Sequence, residues 1–146
     1  MKRKYLFIMI LMIFYGCQSN NEIVPCNVDV SNNIGYVDGK VYNGTCNIYY
    51  NDSILWKQRT YKRGKLTKEL GYYIPSGELE YEGQRKDWQI HGDFVSYYKN
   101  GKVSIEGKLD MGRYIGEWNY YDDDGSLNKT LNYNREGKLI DSLYYK

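Results

Sequence analysis

The stretch Gly92-Asp93-Phe94-Val95-Ser96-Tyr97-Tyr98-Lys99-Asn100-Gly101-Lys102-Val103-Ser104-Ile105-Glu106-Gly107-Lys108-Leu109 holds two strand patterns joined by a turn. Asn100-Gly101 supplies the positive φ that a tight hairpin needs. After it, Val103, Ile105 and Leu109 fall on one side and Lys102, Ser104, Glu106 and Lys108 on the other, the period of two that marks a strand with one dry face. The pattern recurs. Leu79 and Tyr81 oppose Glu78, Glu80 and Glu82, and Leu127, Leu131 and Tyr133 oppose Ser126, Asn128, Thr130 and Asn132.

Tyr-Tyr pairs stand at 49/50, 72/73, 97/98, 120/121 and 144/145, at intervals of 23, 25, 23 and 24. A turn signal follows each of the first four: Asn51-Asp52-Ser53, Pro75-Ser76-Gly77, Lys99-Asn100-Gly101 and Asp123-Asp124-Gly125. A second set falls midway, at Lys62-Arg63-Gly64, Lys86-Asp87, Met111-Gly112 and Arg135-Glu136-Gly137. One repeat of about 24 residues is therefore two strands and two turns. The expected fold is all-β, an elongated single-layer antiparallel meander of β-hairpin repeats over residues 36–146. Adjacent tyrosines point to opposite faces, so the pairs are expected to stack into ladders on both, with the recurrent glycines as hairpin punctuation. Composition agrees: 146 residues contain 18 tyrosines, 15 glycines and no alanine, which disfavours a helical bundle.

Lys2-Arg3-Lys4 precedes an apolar run of 11 residues at 5–15, long enough for a signal-peptide core and short of the roughly 20 that a membrane-spanning helix needs. Gly16-Cys17 and the polar stretch 18–22 follow. The order resembles a bacterial lipoprotein signal, with Phe14 and Tyr15 atypical before Gly16. The resemblance implies a cleaved segment 1–16, lipidation of Cys17, a polar tether over 17–35 and a cell-envelope location. Gln18 in place of Asp favours the outer membrane where the host has one. Three of the 20 basic residues leave with the signal, so 17 basic face 18 acidic residues, and no nucleic-acid partner is expected.

The spacing of Gly92-Asp93-Phe94, Tyr97-Tyr98 and Asn100-Gly101-Lys102, and of Gly116-Glu117-Trp118, Tyr120-Tyr121 and Gly125, with Gly64-Lys65-Leu66 and Gly137-Lys138-Leu139 between units, resembles the MORN-repeat variant of bacterial proteins, some of them antitoxin-labelled. It departs at Lys68 and over residues 85–90, read as a longer connection carrying Trp88. The resemblance implies a binding or tethering sheet and not an enzyme.

No catalytic or metal set is expected, and no cofactor. His91 is the single histidine, read as a solvated turn residue; no HxH, HExxH or CxxC spacing and no Gly-x-Ser-x-Gly elbow accompanies it. Asp122-Asp123-Asp124 lacks the alternating oxygens and distal Glu of a calcium loop. Cys26 and Cys46 either pair in an oxidising exterior or leave Cys46 as a small core residue. Trp56, Trp88, Trp118, Tyr97 and Tyr120 form the candidate binding surface, with burial as the competing reading. The expected function is a membrane-anchored, protein-binding envelope scaffold for an unidentified envelope protein; the alternatives are an immunity or antitoxin factor that binds a toxin and a glycan or peptidoglycan binder. Strands at the ends of an open sheet can also pair with another copy as a homodimer.

Overall fold

The computed structural model describes residues 24–51 and 53–145. All its regular elements are strands: β1 (Val24–Pro25), β2 (Asp29–Ser31), β3 (Ile34–Val37), β4 (Lys40–Val41), β5 (Gly44–Tyr50), β6 (Ile54–Lys62), β7 (Lys65–Tyr72), β8 (Leu79–Lys86), β9 (Gln89–Tyr97), β10 (Val103–Asp110), β11 (Arg113–Tyr121), β12 (Leu127–Tyr133) and β13 (Leu139–Tyr144). Strands β5 to β13 lie side by side in chain order as an antiparallel meander, with β1 parallel to β5 at its start. The expected all-β sheet of hairpin repeats is thus observed. The segment 1–16 and Cys17 lie outside the described residues. Residues 24–35, expected as tether, already hold β1, β2 and the start of β3.

Sheet β2-β3-β4 is an addition that the repeat pattern does not announce. It seats on the β6–β7 turn through the backbone: Gly35 N donates to Gly64 O at 2.7 Å, and Gly64 N to Tyr42 O at 2.8 Å. Gly64 has φ +72°, and a methyl there would lie 2.5 Å from Ile34 Cγ2 and 3.0 Å from Val41 Cγ1. Both the turn and the close approach require glycine. Beneath this cap Cys46, Tyr61 and Leu66 are buried, with Cys26, Val28, Tyr42 and Trp88 packed against them.

The repeat is more regular than the Tyr-Tyr intervals imply. Tyr49, Tyr73, Tyr97, Tyr121 and Tyr145 are each 24 residues apart, and the second tyrosine of a pair falls before or after that column. The expected ladders of paired tyrosines do not form among the described residues. Equivalent tyrosines lie two strands apart, about 9.6 Å, beyond ring contact. They act through their hydroxyls instead: Tyr73 OH donates to Tyr97 O and Tyr98 OH to Tyr121 O, each at 2.7 Å.

The ring contacts run through other positions. Tyr81 and Phe94 are 6.1 Å apart, Phe94 and Trp118 6.1 Å, Trp118 and Tyr114 4.1 Å, and Tyr114 and Tyr133 5.4 Å between centroids. Glycines make this file possible. Gly71 is opposite Tyr81, and Gly83 and Gly107 flank Phe94. A ring can lie flat across a neighbouring strand only where that strand carries no side chain. Trp118 lies against Gly107 in this way and is 1% exposed, although among the described residues no second layer of strands covers it. Gly71, Gly83 and Gly107 are therefore ring seats within strands, which corrects their reading as turn punctuation.

Residues 85–90 are also not a longer connection. β8 and β9 are joined by the two-residue turn Asp87-Trp88, with φ +47° and +68°. The equivalent turns are Arg63-Gly64 and Met111-Gly112, so Trp88 occupies the repeat's glycine position.

Candidate functional site

The two faces of the meander differ in chemistry. On the ring face the aromatic file adjoins an ion cluster assembled from three adjacent strands. Glu69 on β7 is 2% exposed and lies opposite Arg59 on β6. Arg59 Nε is 2.8 Å from Glu69 Oε2, Arg85 Nη2 is 2.5 Å from Oε1, Lys57 Nζ is 3.9 Å from Oε1, and Tyr81 OH donates to Oε1 at 2.8 Å. Burial pushes the Glu69 carboxyl up, but the hydrogen bonds of Arg59 and Tyr81 and the charge of Arg85 outweigh it and hold it below its ordinary value. The same burial, with the Glu69 hydrogen bond, raises the Tyr81 phenol. Arg59 also lies over the Trp88 ring at 5.5 Å, tying the cluster to the capped core.

The opposite, charged face presents a shallow trough of about 450 Å³ across β9, β10 and β11. Val95 and Ile115 give it apolar lining; Asp93, Glu106, Lys108 and Glu117 give it charge. A second hollow of about 240 Å³ shares Asp93 and Val95 and extends to Lys68, Glu82 and Gln84. The 24-residue translation is visible in the side chains. Tyr97 OH donates to Glu82 Oε1 at 2.7 Å, and one repeat on Tyr121 OH donates to Glu106 Oε1 at 2.6 Å. Lys68 pairs with Glu82 at 2.7 Å and Lys108 with Asp93 at 3.3 Å. The hydrogen bonds of Lys68 and then Tyr97 hold the Glu82 carboxyl low. Burial, followed by the bond to Glu82, pushes the Tyr97 phenol up to about 12; the bond to Glu106, followed by burial, does the same to Tyr121. Four carboxylates (Glu82, Asp93, Glu106, Glu117) thus face two lysines (Lys68, Lys108) around an apolar lining.

The residues singled out in the sequence are not gathered into one site. Trp118 is buried on the ring face. Trp88 packs 6.4 Å from Tyr61 at the capped end, and Trp56 is 41% exposed on β6 with Lys57 Nζ 4.3 Å from its ring. Tyr120 is half-buried beneath Lys129 at 4.6 Å, and Tyr97 holds Glu82. Cys26 and Cys46 form a disulfide that ties the segment after β1 to β5. His91 lies within β9, not in a turn, with Nδ1 3.2 Å from Asp110 Oδ1.

The aspartates serve their hairpin. Asp124 Oδ1 accepts from Ser126 N and Oγ, and Asp122 accepts from Asn128 Nδ2. Among the described residues no group of three or more His, Cys, Asp or Glu side chains is placed to hold a metal ion, and no helix is long and apolar enough to cross a membrane.

The Glu69 cluster and the trough were missed because each needs the register of three strands. The spacing of Glu82 and Glu106, each 15 residues before a tyrosine, was the available signal. The chain matches no family model, no curated protein and no solved structure.

Proposed function

We propose that the chain is a membrane-anchored envelope lipoprotein, lipidated at Cys17, whose MORN-variant repeats act as a non-enzymatic scaffold that binds another envelope protein through the charged face. The observation that carries this reading is the trough of Val95 and Ile115 ringed by Asp93, Glu106, Lys108 and Glu117. It is broad and shallow, suited to side chains of a protein surface and not to enclosing a small substrate. Its excess of carboxylates favours a partner that presents lysine or arginine.

The Cys26–Cys46 disulfide supports an oxidising compartment outside the cytoplasm. Trp88 and Trp118, two of the three tryptophans of the candidate binding surface, are engaged in packing, which leaves the glycan alternative with Trp56 alone for stacking on a sugar ring. The test has two parts. Mass spectrometry of the mature N-terminus is expected to find an acylated Cys17, and an unmodified Cys17 in the membrane-free fraction refutes the anchor. Ile115→Arg is expected to abolish capture of the partner crosslinked by the parent chain in its native host; undiminished capture refutes the assignment of the face.

A further inference from the structure

Strand β13 differs from every other strand of the meander. Its six residues are all exposed, including Ile140 at 63%, Leu143 at 55% and Tyr144 at 67%. Among the described residues it has a neighbour on one side only, β12. It contains no proline or lysine and a single charge, Asp141, so the usual safeguards of a free edge are missing. Tyr145 N donates to Asn128 O across β12. By the alternation of an antiparallel ladder, the backbone N–H and C=O of Ser142 and Tyr144 then point away from β12, toward no strand among the described residues.

We propose that this edge is a homodimer interface, in which β13 of two copies pair antiparallel about a two-fold axis at Ser142 and continue the sheet from one chain into the next. Two features select a second copy and this register. A two-fold at Asp141 would set two carboxylates against each other; at Ser142 it sets serine against serine, Asp141 against Leu143, and Ile140 against Tyr144. The other edge of the meander is partly blocked against head-to-tail growth, with residues 48–50 the stretch of β5 beyond its paired residues. There β1 already pairs with Cys46 and Asn47, Pro25 withholds a donor, and the Cys26–Cys46 disulfide fastens the segment down. Pairing through β13 alone closes at two copies, where pairing of unlike edges would build a filament. The inference holds whether or not the chain carries a lipid.

The test is oxidative crosslinking of the full chain in mild detergent, read on non-reducing gels. Ser142→Cys is expected to convert most of the chain to a covalent dimer. Lys99→Cys, on an exposed turn, is expected to stay at the parent's background. Ile140→Lys with Leu143→Lys, added to Ser142→Cys, is expected to reduce the dimer at least tenfold while the far-ultraviolet circular dichroism is unchanged. Equal crosslinking at Ser142→Cys and Lys99→Cys overturns the proposal and leaves the edge to a different protein. A ladder of species beyond the dimer overturns the closed two-fold arrangement.

Discussion

Gly107→Ala tests how one layer of strands buries an indole. A methyl on Gly107 would lie 2.7 Å from Trp118 Cγ and nearer still to Cδ2, a separation that real side chains do not tolerate. The indole has little freedom to yield. Its Nε1 donates to Lys108 O at 3.1 Å, Tyr114 stacks on it at 4.1 Å, and Phe94 stands 6.1 Å away. Forcing a methyl into a packed site costs about 1–3 kcal/mol. Replacing a strand glycine returns about 0.5–1 kcal/mol through the backbone.

The net expectation is a loss of about 1–2 kcal/mol, measured by urea unfolding followed by circular dichroism. The cause is checked by repeating Gly107→Ala in a Trp118→Leu background. That background is itself less stable, but it has room for the methyl, so the penalty should vanish and the two substitutions should couple by about 1 kcal/mol or more. A Gly107→Ala chain as stable as the parent, or an undiminished penalty without the indole, refutes the reasoning.

Glu69→Gln leaves Arg59 and Arg85 without their shared carboxylate and should cost about 3–5 kcal/mol in urea unfolding. Because the Glu69 carboxyl is held below its ordinary 4.5, its stabilisation is present above that pH and lost as pH falls through the folded value; the variant should show a flatter acid dependence below pH 4.5. Trp88 has φ +68° in a slot that other repeats fill with glycine, so Trp88→Gly should be more stable than Trp88→Ala by about 1 kcal/mol, the reverse of the usual order within a strand. Tyr97, Tyr120 and Tyr121, raised from 10.0 to about 12, favour the fold while neutral. Ultraviolet titration should show tyrosines ionising well above pH 10, with that stabilisation lost as pH rises through 12.

The strands and hairpin turns were legible in the sequence because alternation and Asn-Gly or Asp-Gly turns are local signals. Ile105 and Leu109 against Glu106 and Lys108 needed no partner to be read, but a register shift between Val103 and Ile105 sets Ser104 Oγ 2.8 Å from Ser96 Oγ and breaks the expected alternation there. The seats at Gly71, Gly83 and Gly107 were not legible, since a glycine between strand residues reads like a turn until the ring opposite it is known. Trp88 misled for a related reason: a bulky residue at positive φ is uncommon, so Asp87-Trp88 did not register as a two-residue turn. The Glu69 cluster joins residues 10 and 16 apart, and only the pairing of β6, β7 and β8 brings them together. Of the proposed surface, Glu106 and Lys108 were visible as the wet side of a strand. That Val95 and Ile115 line a trough beside them depends on the β9–β10–β11 register.

The assignment of the charged face is tested most directly by a photocrosslinking scan along β11 in the native host. Reporters placed one at a time at Tyr114, Ile115, Glu117, Trp118, Asn119 and Tyr120 sample both faces of one strand. Capture of a single partner from Ile115, Glu117 and Asn119, with none from Tyr114, Trp118 and Tyr120, is the expected result. Equal capture from both sets, or capture confined to the ring face, contradicts it.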